Sequence, residues 1–298
     1  MANNTLTNLT NTIVTQAALE AFRAALLALT VFAHNVSPDP IVKGDKVKVL
    51  SIAAAQAAQN FAGTYASQDS EAEGLDVSIN KHKFVGWSLT DKELADKPQL
   101  QLEKFGKQKG FQLAKAVLQD VLSLVTVANY GAAAFTGPAN TFDLSDVIDL
   151  GNTCDEADWD EMGRALVLKS SYHASLRKDS NLSDASKLGT DSVIREGKIP
   201  GIDTFEELHK SNLIPGNGEN VVGFACLPDA ILFAQRYLAP QEGHGYAEAY
   251  PITDPETGFT MGFRKWYIRE TGEMRSVLEC NYGYLKGMGS ALKILASA

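Results

Sequence analysis

Apolar residues recur along this chain with two different periods, and the change between them predicts where its elements lie. From Ile13 to Ala33 the spacing is helical, with Ala17, Ala21, Ala24, Ala25 and Ala28 on a small-residue side and Leu19, Phe22, Leu26 and Leu29 on a bulky one. Such a helix is either a core element or an arm docked onto another subunit. The Asn/Thr-rich residues 1–12 before it offer little to pack and predict a mobile arm. Ser37-Pro38-Asp39-Pro40 ends the helical region, because two prolines in three residues break a helix.

The period then drops to two. Val47 and Val49 alternate with Lys46 and Lys48 in a strand over Lys46 to Ile52. A second strand is predicted from Leu75 to Leu89, with Leu75, Val77, Ile79, Lys81, Lys83, Val85, Trp87 and Leu89 on one face. That face is apolar at both ends and charged in the middle, the pattern of a strand projecting beyond its own domain. The linking residues, Ala53 to Gly74, are rich in Ala, Gln, Ser and Gly and end in an acidic run from Asp69 to Glu73. The whole reads as a long hairpin. An isolated hairpin is barely stable in water, so it needs a surface to lie on, which a neighbouring subunit could supply.

Helical spacing returns at Thr90, whose three-residue separation from Glu93 is that of a capping box. A long helix is then predicted from Pro98 to Asn129, about 45 Å at ~1.5 Å per residue. Leu102, Phe105, Leu113 and Val117 form the apolar side of its first half. Its second half is apolar except for a stripe of Gln112, Lys115, Gln119, Ser123 and Thr126. Gly106 and Gly110 each cost about 1 kcal/mol relative to alanine in a helix, which suggests close backbone approach by a neighbouring element or a bend. Asn129-Tyr130-Gly131 supplies the stop.

Residues 132–240 read as α/β. Asp143 caps a helix with Leu144, Val147 and Ile148 on one face, and Arg164 to Lys169 is a buried strand followed by a helix from Ser170 to Lys178. A polar connection runs from Asp179 to Ile202, and Thr204 to His209 fits helix or strand. Val221 to Leu227 reads as a strand, with a helix from Pro228 to Leu238 after it. From Tyr246 the pattern is β again. Strands over Phe259 to Arg269 and Met274 to Met288 are joined by the turn Glu270-Thr271-Gly272-Glu273. The fold class is therefore α+β, and no internal repeat is evident.

Composition narrows the function. The 298 residues are 45% hydrophobic and 21% charged, as in a globular protein with a sizeable core. A net charge of −9 argues against a dedicated nucleic-acid-gripping surface, though not against a local basic patch. Cys154, Cys226 and Cys280 show no ligand or disulfide spacing, which points to a reducing compartment. The opening MANNTLTNLT lacks the layout of a signal peptide, and the apolar run Ala24 to Ala33 is too short to cross a bilayer. A soluble, cytosolic product is expected.

Candidate chemistry is sparse. His34, His82, His173, His209 and His244 are scattered, without HxxxH, HxH or HExxH spacing. Ser171-Tyr172-His173 is no nucleophile elbow. The glycines of Gly216-Asn217-Gly218-Glu219 and Gly223 precede a strand rather than open a helix, so a turn accounts for them better than a phosphate loop. Asp155, Glu156, Asp158, Asp160 and Glu161 lack the EF-hand pattern and read as a solvated loop. No catalytic, cofactor-binding or metal-binding residue is assigned, and no cofactor is expected.

The order of these features resembles the major capsid proteins of tailed bacteriophages of the Hong Kong 97 type, over nearly the whole chain from about Ile13. GDKVKV is similar to the start of that family's extended E-loop, and INKHKFVGWSLTDKEL to its returning strand. LEKFGKQKGFQLAKAVLQDVLSLV looks like the spine helix. TFDLSDVIDLGNTCDEADW with RALVLKSSYHASLRKD resembles the helix–strand–helix beyond it, and SNLIPGNGENVVGFACLPDAILFAQRYL the segment before the closing strands.

The resemblance implies an N-terminal arm and helix over 1–40, an E-loop hairpin over 41–89 and a P-domain spine helix over 90–131. An A-domain over about 132–245 and P-domain terminal strands over 246–298 complete it. It further implies self-assembly into hexamers and pentamers that close an icosahedral shell around double-stranded DNA, within a virion assembled in the host cytoplasm. Portal and decoration proteins become candidate partners, with weak, non-specific contact to the packaged DNA and none to membrane. Two departures stand out. No long extension precedes the arm, so a scaffolding function is expected in a separate chain, and no crosslinking Lys/Asn pair can be matched. An encapsulin-like nanocompartment shares the implied fold. An α/β hydrolase-like enzyme, with a pocket in the 164–238 block, is the alternative from another class.

Overall fold

The spine of the molecule is a helix pair, and two sheets are built against it. In this computed structural model the described residues are 6–26, 29–36, 46–52, 60, 63, 72–96, 99–183, 199, 201–215, 218–241, 243 and 245–298. The chain opens with α1 (Leu6–Leu26), α2 (Leu29–Phe32) and a short strand β1 (Ala33–Asn35). Helix α1 begins inside the stretch expected to be a mobile arm, because Leu6, Leu9 and Ile13 continue the apolar helical spacing toward the N-terminus. The expected single helix to Ala33 also ends early, and Ala33–Asn35 pairs in parallel with a later strand. Pro38 and Pro40 lie outside the described residues.

Strands β2 (Lys46–Ile52) and β3 (Ala72–Ser78) pair antiparallel from Lys46↔Ser78 to Ile52↔Ala72. The single strand expected over Leu75 to Leu89 is in fact two. It is interrupted at Ile79-Asn80, beyond which β4 (Lys81–Thr90) joins a different sheet. The period-two pattern runs through the interruption, which is why it was invisible in the sequence. Val77 and Ile79 are buried, Val85 and Trp87 half-buried, and His82, Phe84 and Ser88 exposed. Most of the Ala53 to Gly74 linker lies outside the described residues.

The Thr90/Glu93 capping box forms: the Thr90 amide donates to Glu93 at 3.2 Å and the Glu93 amide to Thr90 Oγ1 at 3.3 Å. It opens α3 (Asp91–Asp96), followed by α4 (Gln99–Leu122). At 24 residues α4 is about 36 Å long, shorter than the predicted helix to Asn129. The ladder stops where Ser123 Oγ donates to the Asp120 carbonyl at 2.5 Å, and Thr126 is fully extended (φ −137°, ψ 154°). A separate turn, α5 (Val127–Tyr130), follows, and Gly131 ends it at φ 86°. The polar stripe stands at Gln112, Lys115, Gln119 and Ser123, all exposed, with Leu113, Val117, Val121 and Leu122 buried, whereas Thr126, its predicted last member, is half-buried beyond the end of α4.

Beyond β5 (Phe135–Thr136), α6 (Leu144–Asp155) carries a complete capping box between Asp143 and Asp146. Its inward face is Val147, Leu150 and Cys154; Ile148, expected on that face, is 41% exposed. Then come β6 (Ala165–Leu168), α7 (Ser170–Lys178), α8 (Ser180–Ser183), β7 (Glu207–Lys210) and β8 (Val221–Cys226). The ambiguous Thr204 to His209 stretch thus resolves as a strand shifted slightly toward the C-terminus. The helix predicted from Pro228 to Leu238 is a 3-10 turn, Pro228–Ala230, leading into strand β9 (Ile231–Arg236). Its first five residues are buried and the first four of them apolar, so the run carries no period; pairing with two neighbours decides it. The chain closes with β10 (Glu248–Thr253), β11 (Thr260–Ile268), the 14-residue β12 (Glu273–Lys286) and β13 (Leu292–Ala296).

Two main sheets result. One runs β1-β9-β12-β11-β10, with β4 also paired to β12; the other runs β5-β13-β8-β6-β7. The helix pair lies against both, so Phe22, Leu113, Val117 and Val121 share one core with Phe263 and Tyr282 of the first sheet and Val167 and Phe224 of the second. Leu166 and Leu168 point the opposite way, into a second core with Val147, Leu150, Tyr172 and Leu176 of α6 and α7. Strand β6 is therefore covered on both faces, which explains its unbroken apolar sequence.

Candidate subunit-contact surfaces

The two helices meet at Gly110. A Cβ there would collide with the backbone of Ala18, its carbonyl oxygen foremost, so the glycine is what lets α1 lie flush on α4. Nearly three turns further on, Asp120 ties α4 to the first sheet. Its carboxylate accepts a hydrogen bond from the Tyr282 hydroxyl at 2.8 Å and pairs with Lys83 Nζ at 3.2 Å. Burial, then the bond to Asp120, holds the Tyr282 hydroxyl well above its ordinary pKa, so it stays a neutral donor. Helix, edge strand β4 and central strand β12 are locked at one carboxylate.

The β2–β3 hairpin is anchored by its root. Val77 and Ile79 pack with Leu232 and Ala234 of β9, flanked by Val47, Val49 and Leu75. The chain crosses β12 at Gly283, where any Cβ would run into the backbone of Ser78. Strand β4 itself pairs only with β12 among the described residues, which leaves its other edge unpaired and Phe84 66% exposed beside it. On the same face Arg264 pairs with Glu279 at 2.7 Å, with His82 Nε2 3.2 Å from the same carboxylate group.

Two grooves of about 300 Å³ each lie between the helices and the second sheet, and they meet at His209. One, in the 164–238 block expected to hold the pocket of a hydrolase-like enzyme, is lined by Val31, Arg164, Glu206, Glu207 and His209. Arg164 is 1% exposed and fully engaged: Nη1 donates to Asp155 Oδ1 at 2.6 Å, Nη2 to the Trp159 carbonyl at 2.5 Å and Nε to the Asp160 carbonyl at 2.6 Å. The other groove is lined by Ala24, Ala25, Phe111, Lys115, Leu118 and residues 209–213.

The candidates for chemistry are not brought together. His34 lies 3.4 Å from Asp229 and His209 2.7 Å from Glu207, two separate pairs, and His244 is outside the described residues. His173 is buried, and burial foremost, with Lys210 and Arg177 adding to it, lowers its pKa. All three cysteines are buried; burial raises the Cys154 thiol to about 11 and Cys280 to about 12, and pushes Cys226 up as well, so none is a thiolate at neutral pH. Glu219 caps α5 by accepting the Val127 amide at 2.7 Å, while Gly216 and Asn217 are outside the described residues. In the acidic loop Asp155 is tied to Arg164, and among the described residues no group of three or more His, Cys, Asp or Glu is arranged to hold a metal ion. Sequence reasoning missed the joint at Asp120 and the crossing at Gly283. Asp120 is an acid at the border of an apolar helix face, a signal that could have been read; Gly283, inside a β pattern, was another.

No family model matches the chain, and neither does any curated protein. Solved structures do. A chain of Mycobacterium phage Che8 superposes with a TM-score of 0.56 at 16% identity over 85% of each chain. A chain from the asymmetric unit of the bacteriophage PhiM1 mature capsid gives a TM-score of 0.56 at 9% identity, over 86% of this chain and 82% of that one. The capsid structure of cyanophage P-SCSP1u gives 0.55 at 13% identity, over 91% and 88%. The α+β architecture built on the α1–α4 pair is thus the fold of phage capsid chains.

Proposed function

We propose that the chain is the structural subunit of an icosahedral phage capsid of the Hong Kong 97 type. The observation that carries this is a fold shared, nearly end to end, with chains of phage capsid structures. Three features of the described residues support it: a hairpin whose root is buried against β9, an unpaired edge at β4 with Phe84 beside it, and titratable groups dispersed rather than gathered into a catalytic centre. In this reading residues 41–89 form the E-loop, α4 the spine, and 1–40 an arm whose helix is packed home. The first sheet is the core of the P-domain and the second that of the A-domain. The division is then not strictly sequential, since β1 of the arm, β4 at the end of the E-loop range and β9 all fall in the P-domain sheet, and β13 in the A-domain sheet. Copies of the chain form hexamers and pentamers around double-stranded DNA, with scaffolding protein and portal as separate chains, and its role is structural rather than catalytic.

Sedimentation and electron microscopy of the purified protein, with and without a co-expressed scaffolding protein, test this. Capsomers or shells are the expected result. A stable monomer at high concentration with scaffold supplied overturns it.

A further inference from the structure

We propose that the groove between α1, α4 and β7 receives the acidic Asp155–Met162 loop of a second copy of this chain. The inference rests on the reading that the chain self-assembles, and names one contact by which it does so. The groove has an apolar floor of Ala25, Phe111, Leu118 and Leu213 and a basic rim of Lys115 and Lys210. Phe111, on α4, lines the groove and is 52% exposed. No carboxylate lines this groove among the described residues, and neither rim lysine has an ion pair there. Lys210 and Arg177 both lie near enough to the buried His173 to act on it, so a further cation, Arg177, stands beyond the rim. A basic, part-apolar groove on a chain of net charge −9 favours an acidic occupant with an apolar tip.

The chain carries such a segment. Met162 is 79% exposed, more than any other described large hydrophobic residue, and Glu156, Asp158, Asp160 and Glu161 around it are all exposed. The loop is held in shape from beneath. Arg164 bonds Asp155 and the carbonyls of Trp159 and Asp160, Trp159 Nε1 donates to the Ser290 carbonyl at 2.7 Å, and Asp158 sits at φ 54°. A buried arginine thus fixes a loop whose tip points a methionine at solvent, so little ordering entropy remains to be lost on docking. Methionine, unbranched and adaptable, suits an irregular apolar groove. Met162 cannot occupy the groove of its own chain, since it is exposed there; the occupant is another copy. Two different patches meet, so the contact is directional, the type that closes into rings.

Charge reversal tests the pairing on the full-length protein. Lys115→Glu with Lys210→Glu should cut the assembled fraction about tenfold at fixed protein concentration, as like charges then face each other. Asp160→Lys with Glu161→Lys should do the same. Both pairs combined in one chain should restore assembly, read by sedimentation and microscopy, with circular dichroism confirming folded monomers throughout. Should a reversed variant fail to fold, Met162→Ser, at a solvent-facing position, is read in its place and should also weaken assembly. Assembly unaffected by either reversal overturns the proposal. So does a loss that the combined variant fails to repair, which would assign the groove to another acidic partner. Wild-type protein in the same series keeps the two readings apart: if it assembles while the variants behave as above, both stand, and if it does not assemble at all, the shell function itself fails.

Discussion

At Gly110 two residue-scale effects oppose each other, and their sizes decide the outcome. Alanine would gain about 1 kcal/mol of helix propensity. Its Cβ, however, would press on the backbone of Ala18, which no rotamer change can relieve, and overpacking of this kind costs about 1–3 kcal/mol or more. Gly110→Ala is therefore expected to lower the thermal midpoint, while an alanine at an exposed site on the same helix, such as Gln112→Ala, leaves it nearly unchanged. His173 supplies a pH signature. Its pKa is lowered from 6.5 in the folded state by burial and by Lys210 and Arg177. The unfolded chain therefore takes up a proton below pH 6.5 that the folded chain refuses. The stabilisation is complete above 6.5 and is lost as pH falls toward the lowered value. Urea midpoints measured downward through this range should fall in the wild type, and His173→Asn should flatten that fall.

At the scale of elements, the hairpin separates shape from stability. Strands β2 and β3 are already paired up to Ile52↔Ala72, and their root is buried against β9. Replacing residues 53–71 by an Asn-Gly turn should close the hairpin in register and leave a folded protein, since two-residue type I′ turns match strand twist. Shell formation should fail, if the segment bridges copies; normal shells from this variant would count against it. The hairpin also shows how far sequence pattern reaches. Both strand periods, the capping box at Thr90, the Asp143 cap and helix α7 were legible, because each is set by local chemistry. The break at Ile79-Asn80 was not, since a change of partner strand leaves alternation intact. Nor was β9, buried on every side, where a short apolar run carries no period and long-range pairing chooses the conformation. The end of α4 was hidden for a related reason: an apolar sequence continues past Leu122 while the Ser123 side chain and extended Thr126 terminate the helix.

At the scale of the whole molecule, the last strand decides whether the second sheet exists. Strand β13 lies between β5 and β8, parallel to one and antiparallel to the other, so it fills the sheet rather than extending an edge. Leu292, Ile294 and Leu295 are each fully buried, Leu292 and Ile294 in the core shared with the helix pair and Leu295 in the core beneath α6 and α7. At about 1.5–3 kcal/mol for each buried aliphatic side chain, their loss removes roughly 5–9 kcal/mol. That is comparable to the ~5–15 kcal/mol by which a typical domain is stable. Removing β13 would also open the edge of β8 and strand the backbone partners of Phe224 and Cys226. Deleting residues 292–298 should therefore abolish folding of the whole chain, not only of the second sheet, because both sheets share the α1–α4 core. Far-UV circular dichroism and soluble yield measure this. A truncated protein that stays soluble, with native helix content and a cooperative melt, would show that the first sheet and the helix pair stand without the second.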